Sequence, residues 1–201
     1  MASKAKKNNF VKDALVLCII TLVAGALLGL AYEITKDPIK KAEDAAKTAA
    51  YREVYVEADS FASDEALTAL VTSSEYTSAL AAAGVDKASV LEAFQALDAS
   101  GNVIGYVMTT ESTGAYNGQL TISVGVTTEG VVTGMSYLVL AETSGIGSKA
   151  SEPDFMNQFI GAEVEQYVLG DNVDAMSGAT VTSKAVTNAM NAALVFVQQA
   201  Q

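Results

Sequence analysis

The chain of 201 residues is strongly acidic, with 23 Asp and Glu against 12 Lys and Arg and a net charge of −11. Clustered Lys and Arg bind nucleic-acid phosphates, so this balance excludes a nucleic-acid partner. There is no histidine and a single cysteine, Cys18. The composition therefore excludes His-based catalysis, the usual zinc sites, an internal disulfide and an iron–sulfur cluster held by this chain. Any redox chemistry must use an organic cofactor.

Residues 14–32 carry no charge and predict a membrane anchor. At 1.5 Å per residue they form a helix of about 28 Å, close to the thickness of a bilayer's hydrocarbon core. Residues 1–13 contain four lysines, which predicts a cytoplasmic N-terminus. From Glu33 onward there are eight basic and 22 acidic residues, a net charge of −14, and this part is expected outside the cytoplasm. A cleaved signal peptide is the alternative, but no clear small-x-small site precedes Tyr32.

A helical stalk is predicted over residues 33–57. Its helix is expected to begin at Asp37-Pro38, because Asp is a good N-cap and Pro is preferred at the first helical position. Two i,i+4 pairs, Lys40/Asp44 and Glu43/Lys47, indicate an exposed helix.

The remainder, residues 58–201, is predicted to form one extracytoplasmic domain. A short helix is predicted at 73–84. Turn signals separate four segments rich in Val, Ile, Tyr and Thr, which predicts an antiparallel meander. The predicted strands are 89–98, 103–110, 119–126 and 131–140.

Two further helices are predicted after the strands. The first begins with a capping-box-like start at Ser151, buries Phe155, Phe159 and Ile160, and ends at Gly161. The second spans about 181–199, and its apolar residues form one stripe. That stripe consists of Ala185, Ala189, Ala192, Val195 and Phe196. Grouped strands with helices at the ends predict the α+β class.

The segment 174–180 (DAMSGAT) directly precedes the last helix. Gly178 permits a tight turn and close approach of a ligand. The helix behind it offers unpaired N–H groups and a positive dipole end, which favour a phosphate. Thr180 places a hydroxyl there, and Lys184 lies one turn further. Simple helix capping by Ser and Thr is the competing interpretation of the same residues.

The pattern D-x-x-S-G-A-T resembles the flavinylation signature of the FMN-binding domain family, with Asp174, Ser177, Gly178, Ala179 and Thr180 at the specified positions. The resemblance implies that FMN is joined by a phosphoester bond to the Thr180 hydroxyl. Thr182 and Ser183 are the next hydroxyls along the chain.

A second segment, E-T-S-G-I-G at residues 142–147, resembles the E-T-P-G-[LI]-G loop of that family, with Ser144 in place of the usual Pro. The resemblance covers about residues 103–199 and implies that this loop lies beside the flavin. Backbone N–H groups of Gly145 and Gly147 are then expected near the ring, and Glu142 and Thr143 offer polar contacts. The candidates for packing on the ring are Ile146, Met176, Tyr116 and Tyr137.

With its single anchor and short length, the whole chain resembles the G subunit of the Rnf electron-transport complex. The resemblance implies an electron carrier within a ferredoxin:NAD oxidoreductase coupled to sodium or proton transport. It also implies a cell-membrane location, other membrane subunits as partners and a separate flavin transferase for maturation. Asp174 is expected to bond backbone N–H groups, and no catalytic residue is expected.

Three alternatives remain open. One is a different flavinylated carrier, either the C subunit of the sodium-pumping NADH:quinone oxidoreductase or a stand-alone shuttle. The second is a non-redox binding or assembly module, in which the S-G-A-T loop is only a helix cap. The third is a sensor that binds a free phosphate ligand at the same helix N-terminus.

Overall fold

The computed structural model describes residues 10–201, which form two compact units divided between Ala46 and Lys47. In the first unit, helix α1 begins at Phe10, and its stretch Lys12–Ile39 is exposed, long and apolar enough to cross a membrane. The lysines at positions 4, 6 and 7 lie outside the described residues.

Helix α1 spans Phe10–Val54 and contains Pro38. The predicted start of a new helix at Asp37-Pro38 is therefore wrong. Proline has no backbone N–H, so one helical hydrogen bond is lost at Pro38. The Ala- and Lys-rich residues that follow favour a helix strongly enough to continue it. Of the predicted i,i+4 pairs, the side chains at positions 40, 43 and 44 lie outside the described residues. The remaining member, Lys47, forms an ion pair with Glu92, with 2.7 Å between Nζ and Oε1.

The second unit is built on a five-stranded antiparallel sheet in the order β1-β2-β3-β4-β5, which confirms the predicted meander and the α+β class. The strands are β1 Ser60–Ala62, β2 Ala88–Leu97, β3 Val103–Ala115, β4 Gly118–Thr127 and β5 Val132–Leu140. Strand β1 is not among the predicted elements, and neither is the helix that follows it, α2 Glu65–Val71, which Asp64 caps. Helix α3 is Ser74–Ala82, close to its prediction.

Helix α5, Thr180–Ala200, packs on one face of the sheet and forms the main core. All five residues of its predicted stripe are buried. Alternate residues of β4, from Leu120 to Val126, face this helix with no exposed surface. The opposite face of the sheet carries a smaller core, in which Tyr51 and Val54 from the end of α1 meet Val107.

Two glycines let the end of α1 approach the sheet directly. Gly125 and Gly134 are paired across β4 and β5, and a Cβ on either would lie within 2.8 Å of the Val54 carbonyl oxygen. The Thr133 hydroxyl donates to the same oxygen at 2.6 Å. Tyr51, Val54 and Tyr55 of the predicted 33–57 stalk are thus buried in the folded domain, whose compact unit begins at Lys47, whereas Val56 and Glu57 are exposed.

The helix predicted from Ser151 to Gly161 is much shorter than expected. A 3₁₀ turn at Gly147–Ser151 precedes helix α4, Pro153–Met156, whose N-cap Glu152 makes no side-chain capping bond. Phe155 and Phe159 are buried, but Ile160 is 37% exposed, so the predicted apolar face is partly wrong. The Gly161 amide donates to the Val132 carbonyl at 2.8 Å, which ties the chain to β5 instead of continuing the helix.

Candidate functional site

A cavity of about 470 Å³ lies where three segments of the domain meet. They are the β3–β4 turn, the loop after β5 and the first turn of α5. Its volume is within the usual range for small-molecule sites. Its lining residues are Tyr116, Glu142, Thr143, Ile146, Gly147, Gly178, Ala179, Thr180, Val181 and Thr182. The structure therefore brings together eight of the predicted site residues, and it adds Val181 and Thr182.

The first turn of α5 presents free donors to this cavity. Its N-cap is Ala179, with φ −129° and ψ 38°, and no side chain caps it. The Ala179 carbonyl accepts from the Ser183 amide at 2.9 Å. The amides of Thr180, Val181 and Thr182 donate to no acceptor among the atoms that the structure describes. Ser177 and Thr180 thus do not act as caps, and the helix keeps the orphan N–H groups that bind anions.

The three hydroxyls near this helix end differ sharply in access. Thr180 is exposed and makes no side-chain hydrogen bond in the described part of the chain. Thr182 and Ser183 are only 1% and 0% exposed. Ser183 Oγ also accepts from the Met176 amide and donates to the Ala179 carbonyl, both at 3.0 Å. Of the three, Thr180 alone offers a hydroxyl that a bulky group can reach.

The loop after β5 is folded on itself and packed against α5. The Thr143 carbonyl accepts from the Ile146 and Ser148 amides, both at 3.1 Å. Gly145 has φ 74°, and its amide donates to Ser148 Oγ at 2.8 Å. The expected free N–H group at Gly145 is therefore already used inside the loop. Gly147 is buried, and a Cβ there would lie 2.9 Å from Thr182 Oγ1.

The β3–β4 turn is held to the same loop by Asn117, which is not among the predicted site residues. Its amide donates to Glu142 Oε1 at 3.3 Å, and its side-chain nitrogen donates to the Ala141 carbonyl at 2.9 Å. The neighbouring Tyr116 is 71% exposed on the cavity rim. The exposed side chains of Ile146 and Val181 also lie on this rim, which makes it apolar.

Five candidate residues do not line this cavity, namely Asp174, Ser177, Gly145, Met176 and Lys184. The Asp174 carboxylate is expected to bond backbone N–H groups, but over the described residues it makes no hydrogen bond. Instead, its backbone amide donates to Gln158 Oε1 at 2.6 Å. Lys184 lines an adjoining cavity.

Tyr137 is also absent from the cavity lining. Its hydroxyl is buried without a hydrogen-bond partner among the described residues, and burial raises its pKa above the usual value. Its packing against the main core explains why it does not reach the cavity.

An apolar-rimmed cavity, three orphan amides and one reachable hydroxyl suit a ligand with a flat ring and a phosphate. Residues 115–195, which contain the cavity, match the family described as the FMN-binding domain. Residues 1–54 match the family described as the RnfG N-terminal region. The fold and the site thus define a flavin-binding domain behind an N-terminal apolar helix.

Two relatives match nearly the whole chain. The G subunit of the ion-translocating oxidoreductase complex from Methanosarcina acetivorans is 31% identical over 194 residues, covering 94% of this chain and 95% of that protein. The G subunit of the Na(+)-translocating ferredoxin:NAD(+) oxidoreductase complex from Acetobacterium woodii is 30% identical over 196 residues, covering 93% and 91%. The chain belongs to the family of G subunits of the Rnf ion-translocating oxidoreductase complex, an electron-transport family with an FMN-binding domain.

The structure of Shewanella oneidensis NqrC is a more distant neighbour. It is 24% identical, with a TM-score of 0.44, and the match covers 53% of this chain and 59% of that one.

Proposed function

We propose that this chain is a membrane-anchored electron carrier that holds FMN by a phosphoester bond to Thr180 and passes electrons between other subunits of its complex. The observation that carries the proposal is the access of Thr180, whose exposed hydroxyl lies beside three orphan amides at the edge of the 470 Å³ cavity. Thr182 and Ser183 are buried and do not compete.

Each part of the site has a distinct task in this proposal. The amides of Thr180, Val181 and Thr182 bind the phosphate oxygens, because the positive end of α5 points at them. The apolar rim of Tyr116, Ile146 and Val181 packs against the ring and excludes water from part of it. FMN bound there supplies one- and two-electron redox chemistry, while the protein fixes its position and electrostatic surroundings.

Attachment is a phosphoryl transfer carried out by a separate flavin transferase. The Thr180 hydroxyl loses its proton and bonds to the FMN phosphorus of FAD, while the bond between the two phosphates breaks and AMP leaves. Because the transferase and its divalent metal supply the catalysis, this chain needs to present only an accessible hydroxyl.

The anchor sets the location in this proposal. Lys12 stands at the start of the apolar stretch Lys12–Ile39, and three more lysines precede it in the sequence. The positive-inside rule then keeps the N-terminus in the cytoplasm and puts the acidic domain on the outer face. Its electrons pass between ferredoxin and NAD, as the name of the Acetobacterium relative indicates for that complex. No G-x-G-x-x-G motif follows a strand, so direct NADH contact is not expected.

The experiment that tests the proposal compares Thr180→Ala with Thr180→Ser, each expressed with the flavin transferase. Flavin fluorescence is read after denaturation and gel separation, so that only covalent flavin remains. We expect none in Thr180→Ala and retained flavin in Thr180→Ser and in the control Thr143→Ala, whose hydroxyl is exposed on the same cavity. Covalent flavin in Thr180→Ala, or none in the unaltered chain, would contradict the proposal.

A further inference from the structure

A second cavity, of about 210 Å³, adjoins the first on the other side of Thr180. Thr180 and Val181 line both cavities. The second one is closed by the turn before β2, by the end of β3 and by the second turn of α5. Its other lining residues include Asp86, Lys87, Gly114 and Lys184.

Basic residues are few in the domain, and two of them line this cavity. Residues 47–201 contain only five basic residues against 18 acidic ones. Two of the five, Lys87 and Lys184, line this one cavity beside Thr180. In a domain of this acidity, two lysines beside one exposed hydroxyl are a local concentration of positive charge.

The two lysines are not equivalent. Lys184 Nζ lies 3.8 Å from Asp86 Oδ1, which also accepts from Asn188 Nδ2 at 2.7 Å. Lys87 has no ion-pair partner among the side chains that the structure describes. With Asp86 offsetting Lys184, the lining carries one uncompensated positive charge, on Lys87.

The backbone holds Lys87 at the cavity from two sides. Its carbonyl accepts from the Thr113 amide at 2.8 Å, which ties it to β3. The neighbouring Asp86 is tied to α5, because its carbonyl accepts from Asn188 Nδ2 at 3.0 Å. Gly114 lies under the Lys87 side chain, since a Cβ on Gly114 would lie 3.6 Å from Lys87 Cβ and Cδ.

We propose that this second cavity is the anion subsite for the phosphoryl group on Thr180, with Lys87 as a positioning residue that contributes the compensating charge. The inference rests on the proposed function. A phosphate joined to both riboflavin and threonine is a diester with one negative charge, and it matches the single uncompensated charge of the lining. A free phosphate monoester carries close to two negative charges at neutral pH and is matched less well. The ring then lies in the apolar cavity, and the phosphate lies where the two cavities meet at Thr180 and Val181, between the orphan amides and Lys87.

The first test measures the rate of flavin attachment to the full-length chain in detergent, with purified transferase and FAD. The variants are Lys87→Gln and Lys87→Arg, and the control is Lys149→Gln, a lysine in the 3₁₀ turn that lines neither cavity. An exposed charge pair contributes up to about 1 kcal/mol, or about fivefold. We expect Lys87→Gln to slow attachment up to about fivefold and to weaken its salt dependence, because a screened attraction has been removed. Lys87→Arg should restore both, and Lys149→Gln should change neither.

The second test reads the attached phosphate directly. The phosphorus-31 resonance of the diester should shift in Lys87→Gln but not in Lys149→Gln. A slower attachment with an unshifted resonance would assign Lys87 to contact with the transferase and would overturn the subsite. Equal behaviour of the two Gln variants in both tests would also overturn it. An unaltered chain without covalent flavin at Thr180 would instead defeat the proposed function, so the two failures are distinguishable.

Discussion

Gly147 lies directly against Thr182, close enough that a methyl group on Gly147 would lie 2.9 Å from Thr182 Oγ1. The same methyl group would lie 2.6 Å from Glu142 Oε2. This contact packs the loop after β5 onto the first turn of α5, and it forms one wall of the cavity beside Thr180. The glycine is needed here for close approach and not for a left-handed backbone, since its φ is not positive.

Gly147→Ala is therefore expected to push the loop away from α5. Overpacking of this kind costs about 1–3 kcal/mol in the free energy of unfolding, which denaturant titration measures. The matched control is Gly114→Ala, whose new methyl group would have no neighbour closer than 3.6 Å. That variant should stay within about 0.5 kcal/mol of the unaltered chain. Equal stability of both variants would refute this packing contact.

Gly134→Ala tests the contact between the end of α1 and the sheet. The added methyl group would lie 2.8 Å from the Val54 carbonyl oxygen and 2.9 Å from Val54 Cα, so the backbone of the helix end must move. We expect faster trypsin cleavage at Arg52, the basic residue in the last turn of α1, because local opening exposes that turn. Gly114→Ala again serves as the control. An unchanged cleavage rate in Gly134→Ala would show that the end of α1 does not depend on this approach.

Tyr137→Phe should be neutral or should stabilise the fold by about 1 kcal/mol, because it removes a buried hydroxyl that has no partner among the described residues. Tyr76→Phe is the opposite case. The Tyr76 hydroxyl donates to the Ala192 carbonyl at 3.0 Å and accepts from the Val90 amide at 3.1 Å. Its removal should cost about 1–3 kcal/mol. Thermal unfolding of the two variants checks this order, and the reverse order would contradict it.

Buried tyrosines predict a loss of stability in alkali. Burial raises the pKa of Tyr51, Tyr76 and Tyr137 above the ordinary value near 10, and it raises the pKa of Tyr167 to about 12. Above pH 10 the unfolded chain releases these protons while the folded chain retains them, so stability falls until the pH passes each folded pKa. Each group contributes a slope of about 1.4 kcal/mol per pH unit.

Denaturant titrations between about pH 9 and pH 11.5 measure that slope. Tyr167→Phe should reduce the slope by the contribution of one tyrosine, at most about 1.4 kcal/mol per pH unit. The variant also loses the hydrogen bond to the Phe159 carbonyl and is therefore less stable at every pH. Stability that is constant or rises over this range would contradict the prediction.

Strands β2 to β5 and the last helix are predictable because their signals are local, whereas the three-residue strand β1 is not. Val, Ile and Tyr runs between Gly-containing turns mark β2 to β5, and the apolar period marks α5. The extent of α1 and α4 is not predictable in this way. Pro38 and the Ser151-Glu152-Pro153 start are ordinary helix signals, but long-range contacts decide the outcome, such as the bond from the Gly161 amide to Val132.

The candidate site follows the same rule. The segments 142–147 and 174–180 are predicted from sequence, and the structure places residues of both on one cavity, although Asp174, Met176 and Ser177 do not line it. The positions of Asn117 and Lys87 at the two cavities are not predictable from sequence. Each lies in a turn that only the folded chain brings against the loop after β5 or the start of α5. A single turn residue gives no sequence signal for such a contact.

The most direct test of covalent flavin attachment is the mass of the tryptic peptide 150–184, taken from protein purified from its native membrane. This peptide contains Thr180 together with Thr182 and Ser183. We predict that it carries the mass of FMN less one water, located on Thr180 by fragmentation. An unmodified peptide from cells with an active flavin transferase, or the same added mass on a different residue, would contradict this prediction.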